Sequence, residues 1–199
     1  TTLEIFAMVT SGKINTILVE TLQKNGVNAF GLSGVDGRTM LARRKEAIRI
    51  IENGKIRMLR DDYTGKIESV NAPLLKMRLD AGYTPVVAPL AISHESDALN
   101  VDADRAAAML AAALKADILI LLTAVPGLLE KFPDESTLVH QLPQSQLPAA
   151  LEMAQGRMKK KILGAQEALQ GGVGRVIIAD GRGIDPITTA LGGSGTTIQ

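Results

Sequence analysis

Apolar positions along this chain recur with two spacings, and the switches between them lay out its elements. Residues 1–9 follow helical spacing, Ser11-Gly12 interrupts it, and residues 14–23 resume the period until Asn25-Gly26 ends it. Residues 27–32 then read as a short strand. The turn Ser33-Gly-Val-Asp-Gly37 comes after it, and its two glycines allow either a tight turn or a close backbone approach to a ligand. Extended segments come next at 39–45, 47–51 and 55–59, with Asn53-Gly54 between the last two as a hairpin signal. Residues 63–70 are extended again, Asn71 caps a helix through Asp80 that Gly82 closes, and 84–90 is a strand with prolines at its ends.

The stretch 100–129 organises the rest. Asn100, Asp102 and Asp104 are good helix-start residues, and 103–115 has high helix propensity without Gly or Pro. The continuous apolar run Asp117-Ile-Leu-Ile-Leu-Leu-Thr123 suits a strand buried on both faces, and Val125-Pro-Gly127 breaks it at its carboxyl edge. Open parallel sheets place ligands outside such edges, so this loop is a candidate binding rim. A helix from Gly156 to about Leu169, a buried strand at 175–179, a short helix at 185–191 and a last strand at 196–199 complete the pattern.

The basic helix start carries candidate chemistry. Arg157, Lys159, Lys160 and Lys161 crowd its first turns, where the helix macrodipole is already positive. An anion would complete that arrangement, because helix N-termini bind phosphate through free N–H groups; a solvated lysine cluster is the alternative. Met158, Ile162, Ala165 and Leu169 make an apolar stripe, and Lys161 shares a second inward row with Ala165 and Ala168. Lys159 and Lys160 lie toward solvent, so Lys161 is the lysine expected to reach an interior site.

Composition narrows the class. The 199 residues allow one large or two small domains, and 46% apolar with 3% aromatic residues favours an aliphatic α/β core. The chain has no cysteine, hence no disulfide, thiol nucleophile or Cys-ligated zinc. That fits the cytoplasm, as does the lack of a visible N-terminal signal or an apolar run long enough to span a bilayer. His94-Glu95 lacks the second histidine of a zinc-protease motif, since position 98 is Ala, and His140 stands apart, so no protein metal site is expected. A Mg²⁺ held mainly by substrate phosphates needs few protein ligands.

Net charge is only +1, which argues against nucleic-acid binding by the whole surface. Its distribution is uneven. Between residues 38 and 60, eight basic residues stand against Glu46 and Glu52, a local balance of +6 that leaves −5 elsewhere. Such asymmetry is a reason to look for an acidic partner at this projecting hairpin, a solvated charged face being the alternative.

The ordered motifs Asn100-Val-Asp-Ala-Asp104, Leu121-Leu-Thr-Ala-Val-Pro-Gly127, Gly156-Arg-Met-Lys-Lys-Lys161, Asp180-Gly-Arg182 and Gly195-Thr-Thr-Ile198 resemble the amino acid kinase family, in its acetylglutamate kinase branch. There is no Walker A motif or complete GxGxxG to favour another nucleotide fold. The resemblance implies a three-layer α/β/α sandwich around a mainly parallel sheet, with an amino-acid-substrate lobe at 1–97 and a nucleotide lobe at 98–199. Residues 31–37, Arg43-Arg44-Lys45, 62–66 and Arg157 are more similar to the kinases that act on 2-aminoadipate or glutamate held by a small acidic amino-group carrier protein, LysW. The activity implied by this resemblance is ATP- and Mg²⁺-dependent phosphorylation of a side-chain carboxylate in lysine or arginine biosynthesis, by a homodimer.

Carried over position by position, Lys161 neutralises the transferring phosphoryl group and Asp104 holds catalytic lysines in place. Asn100 binds the α-substituent of the substrate. Thr123, Val125, Gly127, Leu128, Gln155 and Met158 border the nucleotide, and Arg43, Arg44 and Lys45 meet the carrier. The chain departs from the family in two places. Ala124 stands where the family usually has an acidic or amide residue, and the chain begins several tens of residues after the family's opening Lys-x-Gly-Gly strand, so these residues alone are expected to lack substantial activity. N-acetylglutamate kinase and a non-catalytic nucleotide-binding module are the alternative readings.

Overall fold

The computed structural model describes residues 2–52, 54–60 and 62–199. The fold is α/β, and its contacts divide the chain into two compact units, Thr1–Ala106 and Ala107–Gln199.

The first unit opens with α1 (Thr2–Ala7), which passes through a π-helical turn (Met8–Ile14) directly into α2 (Asn15–Lys24). The expected interruption at Ser11-Gly12 is therefore a widened turn, and the helix runs unbroken over Thr2–Lys24. By length and apolar composition it could cross a membrane, which corrects the expectation that no such run exists. The polar anchors of α2 face a sheet. Asn15 Nδ2 donates to Val86 O (2.8 Å) and Leu32 O (3.5 Å), and Gln23 Nε2 donates to Ala29 O (3.0 Å).

That sheet is the parallel pair β1 (Ala29–Ser33) and β6 (Thr84–Ala88). Between them in sequence lie β2 (Met40–Arg44), β3 (Ile48–Glu52), β4 (Lys55–Leu59), β5 (Gly65–Val70) and α3 (Ala72–Asp80). The Asn71 side chain accepts the Leu74 N–H at 3.3 Å, the cap that starts α3. After β6 come two short strands, β7 (Leu90–Ile92) and β8 (Ala98–Asn100), which complete a second sheet in the order β5-β2-β7-β8. Met40, Ala42, Leu75, Leu90, Ala91 and Leu99 are buried in this unit.

Strands β3 and β4 form an antiparallel ribbon apart from both sheets, and Ile51, Ile56 and Met58 are all exposed on it. The projecting hairpin is thus present. The turn expected at Asn53-Gly54 lies partly outside the described residues, and Gly54 has φ +74°, where a side chain would be strained.

Helix α4 (Ala103–Leu114) leads into the second unit, which holds β9 (Ile118–Thr123), β10 (Gln141–Leu142), α5 (Leu147–Met153), α6 (Gly156–Gln170), β11 (Arg175–Asp180), α7 (Pro186–Leu191) and β12 (Thr196–Ile198). The strand order is β10-β12-β11-β9, parallel except between β11 and β12. Successive strand residues point to opposite faces. Leu119, Leu121, Val176 and Ile178 pack with Ala108, Ala111, Ala150, Ile162 and Ala165 of α4, α5 and α6. On the other face Ile177 and Ala179 pack with Ala190 of α7, flanked by Ile118 and Ile120. Helices on both faces give this unit three layers. Strand β9 is covered unequally: Leu119 and Leu121 are buried, whereas Leu122 is 40% exposed. The uniform apolar run concealed this difference, because hydrophobicity alone does not report how long the covering helix is.

Candidate active site

In the second unit the carboxyl ends of β9 and β11 lie side by side, with Thr123 paired to Asp180. The Gly181 N–H donates to Thr123 O at 2.7 Å and so extends the pairing past the strand ends. Two rim loops diverge from there. In the first, Gly127 and Leu128 are buried, and the Leu128 N–H donates to Thr196 Oγ1 at 2.8 Å. A Cβ added at Gly127 would lie 2.6 Å from the same Thr196 oxygen, so only glycine lets the loop lie this close to β12. Thr123 and Val125 are half-buried. Gly127 and Leu128 therefore set the shape of the loop, whereas Thr123 and Val125 keep partly open surface.

The second rim loop begins Asp180-Gly-Arg182. Arg182 closes back on the Asp180 carboxylate, its Nε 2.8 Å from Oδ1 and its Nη2 2.6 Å from Oδ2, while its backbone N–H donates to Oδ1 at 2.9 Å. Nη2 also lies 3.5 Å from Glu135 Oε1. These bonds hold the Asp180 carboxyl below its usual range, and the Asp180 carboxylate raises the affinity of Arg182 for its proton. A small open pocket of ≈ 110 Å³ sits here, lined by Ala179, Asp180, Gly183, Pro186, Thr189, Ala190 and Ser194. Sequence reasoning found the Asp180-Gly-Arg182 motif and gave it no role in the site. The legible signal was a glycine-rich break directly after a buried strand, with a second glycine-rich turn, Gly192-Gly-Ser-Gly195, before β12.

Helix α6 starts at Gly156 with φ +54°, and the Gln155 side chain makes no capping bond. Arg157, Lys159 and Lys160 are exposed, whereas Lys161 is half-buried beside Ile162 and Ala165, which are fully buried. The lysines are thus ordered by burial as the helical spacing predicts. Met158 is half-buried against the core of this unit, and Gln155 is exposed.

In the first unit Asn100 ends β8, its N–H donating to Tyr63 O at 2.8 Å, and its side chain is exposed. Asp102, not Asn100, supplies the cap for α4, accepting the Arg105 N–H at 3.3 Å. Asp104 lies in the first helical turn and is half-buried. The glycine loop after β1 is closed by its own polar groups, since the Ser33 N–H (2.7 Å) and Oγ (2.8 Å) both donate to Asp36 Oδ2. Among the three cations expected to meet a carrier, Arg43 and Lys45 are exposed and Arg44 is half-buried. Arg43 Nε lies 3.5 Å from Glu68 Oε1.

Among the described residues no group of three or more His, Asp or Glu side chains gathers to hold a metal ion. The chain shares 55% of its residues with LysW-aminoadipate kinase of Deinococcus radiodurans, over 100% of this chain and 68% of that one. It shares 52% with LysW-aminoadipate kinase of Thermus thermophilus, over 100% of this chain and 74% of that one. Among solved structures, N-acetylglutamate synthase from Neisseria gonorrhoeae, complexed with coenzyme A and N-acetyl-glutamate, superposes with a TM-score of 0.79 at 29% identity, over 96% of this chain and 42% of that one. A profile of the amino acid kinase family matches residues 1–180, and with relatives this similar across the whole chain, the protein belongs to the amino acid kinase family.

Proposed function

We propose that the protein is an ATP-dependent kinase that phosphorylates the side-chain carboxylate of 2-aminoadipate, or of glutamate, held on a small acidic amino-group carrier protein. The observation that carries this reading is the similarity, over the whole of this chain, to two kinases named for that carrier-linked substrate. The exposed ribbon between residues 48 and 59, in a stretch of +6 local charge, supports an acidic carrier.

The substrate carboxylate oxygen attacks the γ-phosphorus of ATP in line. The bond to the β–γ bridging oxygen breaks, ADP leaves, and an acyl phosphate forms without net proton transfer. Such transfer relies on positioning and charge stabilisation. The Lys161 ammonium offsets charge on the transferring group, and Asp104 holds the catalytic lysines in place. Asn100 receives the α-substituent of the amino acid. Thr123, Val125, Gly127, Leu128, Gln155 and Met158 border the nucleotide, with Gly127 and Leu128 acting through the loop they shape. Among the described residues no carboxylate cluster would hold a metal ion, so a Mg²⁺ would be held chiefly by the phosphates of the nucleotide and would offset their charge. Arg43 and Lys45 meet the carrier.

We place the enzyme in the cytoplasm, and its homodimer is testable by sedimentation. The lobes divide the work, with amino-acid substrate on 1–97 and nucleotide on 98–199. The deciding assay compares acyl phosphate formation on carrier-linked aminoadipate, carrier-linked glutamate and free N-acetylglutamate. Higher kcat/KM on a carrier-linked substrate upholds the reading, and preference for N-acetylglutamate overturns it in favour of an acetylglutamate kinase.

A further inference from the structure

Arg44 stands at the neck of the projecting ribbon. After β2 the chain runs out to the β3–β4 ribbon, and the Arg44 Nε donates to Asp62 O at 2.9 Å where the chain comes back to β5. The same guanidinium lies 4.0 Å from the centroid of the Tyr63 ring. Arg44 is half-buried, unlike its exposed neighbours Arg43 and Lys45, so its charge is engaged within the first unit.

The segment it grips is the one that fixes Asn100. Tyr63 O accepts the Asn100 N–H at 2.8 Å, and Thr64 bridges Asn100 in parallel register. The other side of the segment is tied to the end of β2. The Lys45 N–H donates to Thr64 O at 2.9 Å, and the Asp62 carboxylate accepts the Thr64 N–H at 2.7 Å. Gly65 completes the clamp, because a Cβ there would meet Leu99 at 3.1 Å and Ala42 at 3.2 Å. Residues 62–65 are thus a crosspiece between β2 and β8, with Arg44 as its outer fastening. The Asn100 side chain is exposed, so its place is set by the backbone that carries it.

We infer that Arg44, with Tyr63, is a positioning residue that sets Asn100 for the amino-acid substrate through the Asp62–Thr64 crosspiece, and that it is not a direct contact for the carrier. This rests on the proposed function for the identity of the substrate, while the mechanical link rests on the geometry alone. A carrier contact would lose carrier affinity on neutralisation of Arg44. A positioning residue would leave that affinity in place and release the Asn100 backbone.

The test uses the complete protein and two readouts. Amide hydrogen exchange at Asn100 should accelerate roughly tenfold or more in Arg44→Met and in Tyr63→Leu, as expected when a local opening becomes easier. Tyr63→Phe keeps the ring under the guanidinium and should keep the protection. Calorimetry with the bare acidic carrier should give affinity within about twofold of wild type for Arg44→Met, the range expected for a lost charge without direct contact. With carrier-linked aminoadipate, Arg44→Met should lower kcat/KM, and that loss should largely disappear in an Asn100→Ala background, because coupled residues are not additive. Unchanged exchange at Asn100 in Arg44→Met would overturn the inference, as would a fall in bare-carrier affinity that matches the loss in kcat/KM. If the wild-type protein itself ignores the carrier, the functional reading fails, and the exchange rate at Asn100 still upholds or overturns the positioning role.

Discussion

A methyl group at Gly34 would lie 2.0 Å from the Leu90 carbonyl oxygen and 2.5 Å from Met40 Cε. The backbone cannot yield as a flexible side chain can, so Gly34→Ala should destabilise the protein by about 3 kcal/mol, the upper end for overpacking. Urea denaturation checks it, and a change under about 0.5 kcal/mol, the scale of an ordinary surface substitution, would contradict the packing described. Lys161 calls for a different measurement. If its ammonium serves the transferring phosphoryl group, Lys161→Ala should lower kcat by roughly 10²–10³-fold, with a much smaller change in affinity for a non-hydrolysable ATP analogue. A third residue-scale expectation concerns Asp180. Arg182 holds its carboxyl below the usual value of about 4, so the folded state favours the ionised form. Its stabilising contribution is complete above that value and is lost as pH falls through the lowered one. The melting temperature of wild type should therefore exceed that of Asp180→Asn at pH 6, and the gap should begin to narrow only below about pH 4, closing as pH falls through the lowered value.

At the scale of elements, the ribbon β3–β4 and its neck carry the carrier hypothesis. Reversing Arg43 and Lys45 to Glu should raise KM for the carrier-linked substrate roughly tenfold while kcat stays nearly constant. Added salt should shrink the difference, because exposed charges are screened within about 8–10 Å at ordinary ionic strength. Insensitivity to salt would count against it. Elements with a long period were legible in the sequence: α4, α6, the β3–β4 ribbon, and the Asn71 cap of α3 all fall where apolar spacing and turn residues put them. The short strands β8 and β10 were not, since they are too short to show an alternation and exist only through their partners; β12, as short, was betrayed by the glycine-rich turn before it. Asn100 illustrates the cost. Read as a helix start, it ends β8, and the capping falls to Asp102. Ser11-Gly12 misled in the opposite direction, because a π-turn absorbs residues that would break a tighter helix. The lysine ranking on α6 was readable because helical phase alone orders it. The Asp180–Arg182 closure was not, because it depends on a turn and on Glu135 lying nearby in space.

For the molecule as a whole, separate lobes imply separable measurements. A non-hydrolysable MgATP analogue at about a hundred times its Kd should stabilise the protein by about 2.7 kcal/mol. The Arg43/Lys45 reversal should leave that gain unaltered, and its disappearance in the reversed variant would contradict a nucleotide site confined to residues 98–199. The bond between Leu128 and Thr196 spans 68 positions, and it joins the loop after β9 to β12. The Thr197 N–H likewise donates to His140 O at 2.9 Å. During synthesis, then, the loop at 123–129 emerges from the ribosome long before the strand that gives it its shape. A nascent chain halted before residue 196 should present no formed loop at 123–129, however much of the preceding unit has already folded.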